Sequence, residues 1–232
     1  MANHLDLEEQ EQLDELKAFW NRFGNLITWA LIVVLAGFAG WNGYQYWQRS
    51  QSAQAAALYD EVDRAAKAGD TAKIERAFAD MKDKFGSTTF AQQAALLAAK
   101  TLFEKGNADA SKAALTWVAE QSSEDGYQPV ARLRLASVLL ESKSYDEAMK
   151  QLSGSFPKEF EPLVADRKGD VLALQGKKAE AIAQYKAAYT GLDERDDYRR
   201  IVEIKLNSLG VDPRPAAPVV TAASPVTVEI KK

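Results

Sequence analysis

Cysteine is absent from all 232 residues, and histidine occurs once, at His4 in the N-terminal tail. The chain therefore has no disulfide framework, no thiolate nucleophile and no thiolate or imidazole cluster for a transition metal. A chain without thiols neither needs an oxidising compartment nor is harmed by one, so a bacterial periplasm is compatible with it. No glycine-rich phosphate loop and no G-x-S-x-G elbow occurs. A basic excess is missing too: 29 Lys and Arg stand against 33 Asp and Glu, for a net charge of −4. That balance argues against nucleic-acid binding, which needs a positive face for the phosphates. Sustained apolar–polar alternation with turn dipeptides is nearly absent, which argues against a sheet. The densest acidic run of the C-terminal half, Asp193, Glu194, Asp196 and Asp197, stands at a helix start, where carboxylates cap the amides and oppose the dipole. With no base, nucleophile, cofactor loop or metal set, an enzyme is the weakest reading and no cofactor is expected.

What the sequence does have is one long uncharged apolar run, Leu26 to Tyr46. As a helix its 21 residues span about 31 Å, the thickness of a bilayer's hydrocarbon core. Leu26, Ile27, Leu31, Ile32, Val33, Val34, Leu35 and Phe38 contribute roughly −2.5 to −5 kcal/mol on an insertion scale. Trp20 lies before the run, and Trp41, Tyr44 and Trp47 close it, at the two headgroup levels amphipathic rings prefer. Ala36, Gly40 and Gly43 place small residues where a second membrane helix can approach closely. The segment ahead of the run is acidic and extended, unlike the short basic leader of a cleaved signal peptide, so a retained anchor is expected. Lys17 and Arg22 on one flank and Arg49 and Arg64 on the other leave the orientation open by charge count.

Residues 1–25 form an acidic segment in which Leu13, Leu16, Trp20 and Phe23 recur at helical spacing, read as a run-in to the span. From residue 47 to 210 helical periodicity continues, punctuated by Gly69, Gly86, Gly106, Gly126, Gly154, Gly176 and Gly210. The helices come in pairs. Tyr145-Asp146-Glu147-Ala148-Met149 matches Lys178-Ala179-Glu180-Ala181-Ile182, with Ala148 in register with Ala181. That shift is close to the period of tetratricopeptide (TPR) repeats, about 34 residues. Small residues (Ala99, Ala136, and Gly169 or Ala173) let paired helices close up, while Trp117, Tyr145 and Tyr185 fill the space between pairs. Such pairs stack into a solenoid with a concave face that holds protein segments. Repeat geometry puts Gln92, Gln93, Arg132 and Arg134 on the first helices of two pairs, as a possible partner groove. Both arginines have a second reading, as ion-pair partners of acids on a neighbouring helix. Residues 211–232, with Pro213, Pro215, Pro218 and Pro225, read as a disordered tail. The fold class expected is all-α: one transmembrane helix, a TPR-like helical solenoid and a Pro-rich tail.

The chain resembles the YfgM-like ancillary SecYEG translocon subunits over roughly residues 10–210. The resemblance is carried by Leu16-Lys17-Ala18-Phe19-Trp20 before the span, and by Gly40-Trp41 and Tyr46-Trp47 leaving it. In the domain its carriers are Arg132-Leu133-Arg134-Leu135-Ala136, Ala165-Asp166-Arg167-Lys168-Gly169-Asp170 and Lys205-Leu206-Asn207-Ser208-Leu209. It implies a single-pass protein of the bacterial inner membrane, N-terminus cytoplasmic and repeat domain periplasmic. It implies a place beside the SecYEG translocon with a PpiD-type periplasmic chaperone, helping to pass translocating polypeptides onward. It brings no catalytic residues. Two other readings stand beside it: a TPR scaffold or chaperone for envelope assembly away from the Sec channel, and an adaptor of inverted topology.

Overall fold

The computed structural model describes residues 7–122 and 126–214 and holds nothing but helices and their turns among them. His4 and the tail from residue 215 onward lie outside the described residues. One helix, α1, runs from Leu7 to Ala68 without a break. The acidic segment, the span and the first helix of the domain are thus successive stretches of a single rod. After it come α2 (Thr71–Phe85), α3 (Thr89–Glu104), α4 (Ala108–Gln121), α5 (Tyr127–Glu141) and α6 (Tyr145–Leu152). A single 3₁₀ turn, Lys158–Phe160, leads into α7 (Glu161–Leu174), α8 (Lys178–Gly191) and α9 (Asp197–Ser208).

Among the described residues the pairs are α1–α2, α3–α4, α5–α6 and α7–α8, followed by α9. A repeated turn sets this pattern. At the end of α1, α3, α5, α7 and α9 the chain enters the left-handed region, at Gly69, Gly106, Lys143, Gly176 and Gly210 (φ 57–83°). The next amide donates back five residues each time: Asp70 N to Ala65 O, Asn107 N to Leu102 O, Ser144 N to Leu139 O, Lys177 N to Leu172 O, and Val211 N to Leu206 O, all 2.8–3.0 Å. This is the Schellman closure, which satisfies carbonyls a helix end would leave bare. By this mark α9 is the first helix of a fifth pair with no second helix among the described residues.

Lys143 occupies a position that four glycines take elsewhere, and its Cβ crowds the backbone there. Replacing Lys143 by Gly is expected to stabilise the domain by about 0.5–1 kcal/mol, the relief of that crowding less the entropy glycine adds to the unfolded chain. A shift of the urea midpoint to higher concentration measures it; an unchanged or lower midpoint refutes it.

Alanine and short aliphatic chains make the core, so the helices pack closely. Ala55, Val62 and Ala65 of α1 interlock with Ile74, Met81, Ala91, Ala98 and Leu102. Leu115, Leu135, Leu139, Leu152 and Val171 fill the middle, and Leu172, Ala181, Tyr185, Val202 and Leu206 the far end. Trp117 of α4 meets Phe78 of α2 edge-on, ring centroids 5.7 Å apart, joining the first two pairs as its spacing predicts. Tyr185 does more than fill between pairs: its ring packs against Gly169 of its own pair, where a Cβ would come within 2.5 Å of Tyr185 Cε1. Among the expected acids, Asp196 caps α9 by accepting from Tyr198 N at 2.9 Å.

Candidate functional site

The apolar stretch of α1 is long and uncharged enough to cross a membrane, and almost none of it is covered by the rest of the chain. Trp20, Trp41, Tyr44 and Trp47 all face outward. Trp20 and Trp47, the outermost of these rings, are separated along the axis by about 40 Å, which matches a bilayer with its headgroup regions. The polar side chains within the stretch turn back on their own helix. Thr28 Oγ1 donates to Gly24 O at 2.7 Å, and Asn42 Nδ2 to Phe38 O at 2.9 Å. In hydrocarbon that pairing removes the cost of a bare donor. Ala36 is exposed, and a Cβ built on Gly37, Gly40 or Gly43 meets no atom within 4 Å. The small-residue face is therefore open to a second helix.

The second feature is a groove across the C-terminal ends of α3, α5 and α7. A cavity of about 300 Å³ opens between α3 and α5, floored by Ala99, Leu115 and Val138 with Phe103 at its edge. Lys100 and Glu104 stand on one bank, Arg134 and Glu141 on the other. Lys100 Nζ lies 3.9 Å from Glu104 Oε1, so this bank offers both signs of charge. A wider, more polar cavity of about 540 Å³ continues between α5 and α7, past Lys143, Tyr145 and Arg167 to Leu174. Ser137 and Glu141 line both, which makes them one groove. Phe103 and Leu174 remain exposed at its two ends.

Of the four groove residues expected from repeat geometry, Arg134 lines this groove. The other three lie elsewhere. Gln92 is buried, its Oε1 accepting from Ser122 Oγ at 2.7 Å. Gln93 Nε2 donates to Tyr127 OH at 2.9 Å, tying α3 to α5. Arg132 holds its guanidinium 5.8 Å from the Phe156 ring, on the α6–α7 connection. No ion pair to an acid forms at Arg132 or Arg134 among the described residues. Phe103, Ser137, Lys143 and Leu174 are groove residues that spacing does not single out.

At the α7 end of the groove, where Arg167, Asp170 and Tyr185 line it, a largely buried polar network bolts α9 to α7. Asp166 is fully buried and accepts from Lys205 Nζ at 2.7 and 2.8 Å and from Tyr198 OH at 2.7 Å. Asp170 accepts from Tyr185 OH at 2.8 Å, from Arg167 at 2.9 Å, and pairs with Lys205 at 2.7 Å. Burial, and then the charge of Asp170, push the Tyr185 hydroxyl above its ordinary pKa of 10.0. Burial, and then the bond to Asp166, do the same for Tyr198. Both hydroxyls thus stay protonated and keep donating. Every carboxylate oxygen here already has fixed donors, which suits a structural bolt rather than acid–base chemistry.

The tetratricopeptide repeat-like domain family matches residues 17–211. Full-length relatives agree. The chain is 34% identical to the ancillary SecYEG translocon subunit of Neisseria gonorrhoeae, over 90% of this chain and all of that one. It is 29% identical to the subunit of that name from Haemophilus influenzae, over 88% of this chain and 98% of the relative. For the Escherichia coli protein of that name the figures are 26%, 88% and 97%. One apolar span, four closely packed helix pairs among the described residues and near-complete coverage of these relatives make this chain a member of the ancillary SecYEG translocon subunit family, built on a tetratricopeptide repeat-like domain.

Proposed function

We propose that this protein is a non-enzymatic accessory of the Sec translocon in the bacterial inner membrane. Its N-terminus lies in the cytoplasm and its helical domain in the periplasm. The span meets membrane partners through Ala36, Gly40 and Gly43, while Trp20, Trp41, Tyr44 and Trp47 hold it at depth. The groove takes segments of translocating polypeptides, or of a PpiD-type chaperone that receives them. The observation that carries this reading is the pairing of near full-length similarity to Sec-associated relatives with an apolar groove rimmed by both signs of charge. Such a groove fits an extended chain, whose apolar side chains enter and whose backbone amides and carbonyls meet the charged banks.

The test is in-cell photocrosslinking. A photoreactive residue at Gly40 is expected to capture a channel subunit, and one at Ser137 a polypeptide during translocation. Phe103→Ser combined with Arg134→Glu is expected to cut capture at Ser137 about tenfold, because losing one buried ring contact costs on the order of 1.5–3 kcal/mol. Undiminished capture would remove the groove from the proposal. Capture at Gly40 that never reached a channel subunit would turn the reading toward an envelope scaffold.

A further inference from the structure

The span and the first helix of the domain are one helix, and nothing between them can bend. Between Gly43 and Gly69 there is neither glycine nor proline. Sharp kinks need one of these, a π-bulge or an inserted group, and α1 is regular α-helix throughout. Its upper end is clamped: Ala55 and Val62 are fully buried, and Ala65 nearly so, against α2 and α3. From Tyr46 at the membrane edge to Ala68 the rod rises about 33 Å. A tilt of about 20°, usual for a spanning helix, lowers this by only about 2 Å.

The groove sits at the top of that rise. Next to Ala68, a Cβ built on Gly69 would lie 2.7 Å from Lys105 Cε, so α3 ends level with α1. Lys100, Phe103 and Glu104, which edge the apolar cavity, are in that last turn of α3. The cavity between α3 and α5 therefore lies at the end of α1 that is far from the apolar run.

We infer that α1 is a rigid spacer holding the groove about 30 Å from the membrane surface, and that its occupant is an extended polypeptide segment about ten or more residues from its own point of membrane exit. An extended chain covers about 3.3–3.6 Å per residue, so nearer segments cannot reach. A cavity of about 300 Å³ admits a few side chains, not a folded domain. The mixed-sign banks favour no net charge in what enters. This inference rests on the groove reading above and adds to it a distance rule for which part of a chain is taken.

Two measurements on the full chain test it. With no natural cysteine, Glu104→Cys gives a single labelling site. In nanodiscs, energy transfer from that site to headgroup-labelled lipid is expected to report about 30 Å, the rise of the rod. A separation of half that or less overturns the spacer. The second measurement uses single-span bait proteins and a photoreactive residue at Ser137. Each bait carries an apolar tripeptide behind a flexible Gly-Ser spacer, in a series from about 2 to about 24 residues. Crosslinking is expected to begin near a spacer of about ten residues. Seven helix-forming residues inserted after Arg49 raise the groove by about 10 Å and should move the onset to about thirteen. Onset at the shortest spacer, or an onset unmoved by the insertion, overturns the distance rule. The expected separation with no crosslink at any spacer length overturns the groove as the binding face, and with it the stated occupant.

Discussion

Arginine at both Leu31 and Leu35 will leave this protein outside the bilayer. Both leucines lie inside the apolar run, Leu35 near its middle, are exposed, and touch no part of the helical domain. Each contributes about −0.3 to −0.6 kcal/mol to insertion, whereas a central arginine opposes it by about +2.5 to +3.5. The double change swings the balance by roughly 6–8 kcal/mol, more than the −2.5 to −5 kcal/mol that all eight large apolar residues supply together. Leu35 lies about 14 and 17 Å along the axis from the two ends of the run, Leu26 and Tyr46, too far for a guanidinium there to snorkel to either headgroup layer. Leu31 lies about 8 Å from Leu26, so snorkelling relieves that second charge only in part. Carbonate extraction of cell membranes reads the outcome. Wild type stays in the pellet; the double variant moves to the soluble fraction or is degraded, and crosslinks from the groove to translocating chains disappear. A single Leu35→Arg should give a mixed distribution. A double variant that still resists carbonate would mean that α1 is held by a protein partner rather than by lipid.

How much of this is readable from sequence follows from which signals are local. The span is a matter of composition over consecutive positions, so it can be read outright. Helix ends can be read wherever glycine marks them, as at Gly69, Gly106, Gly176 and Gly210, because glycine is the residue that takes the left-handed turn without strain. The end of α5 carries Lys143 in the same conformation, and nothing in a lysine announces that. The continuity of α1 is hidden by its change of character near residue 47. The apolar run stops there, but helical hydrogen bonding has no reason to. The groove is legible as to which helices carry it and not as to which residues. Repeat spacing puts Gln92, Gln93, Arg132 and Arg134 on first helices, yet only the rotation of each helix decides its face. Gln92 turns inward to Ser122, while Arg134 reaches the rim. Asp166 and Asp170 stand out in the sequence only as part of a run shared with the family. Their partners Tyr198 and Lys205 lie 32 and 39 residues on from Asp166, beyond any local pattern.

That distant pairing gives the largest expected effect inside the domain. Lys205→Met is expected to destabilise the α7–α9 end by about 3–5 kcal/mol. Lys205 Nζ is the cation that both Asp166 and Asp170 share, and it also lies 5.4 Å from the centre of the Tyr185 ring. Methionine keeps the length of the stem and most of its packing, so the loss is chiefly electrostatic. Asp166, fully buried, is left with the Tyr198 hydroxyl, and Asp170 with Arg167 and Tyr185. Asp166 then stays buried with its cation gone, and removing one partner of a buried pair costs far more than the pair itself is worth. Because α9 has no second helix behind it among the described residues, the loss should appear as detachment of that helix before the rest unfolds. Hydrogen exchange on the full chain in detergent measures this. Amides of Val202 to Leu206 should exchange roughly two to three orders of magnitude faster, with those of α3 and α4 nearly unchanged. A cycle with Asp166→Asn separates the charge pairing from packing: if Lys205 acts through Asp166, the double variant loses clearly less than the sum of the two singles. Additive losses in that cycle and in a second with Asp170→Asn would instead make Lys205 a packing residue.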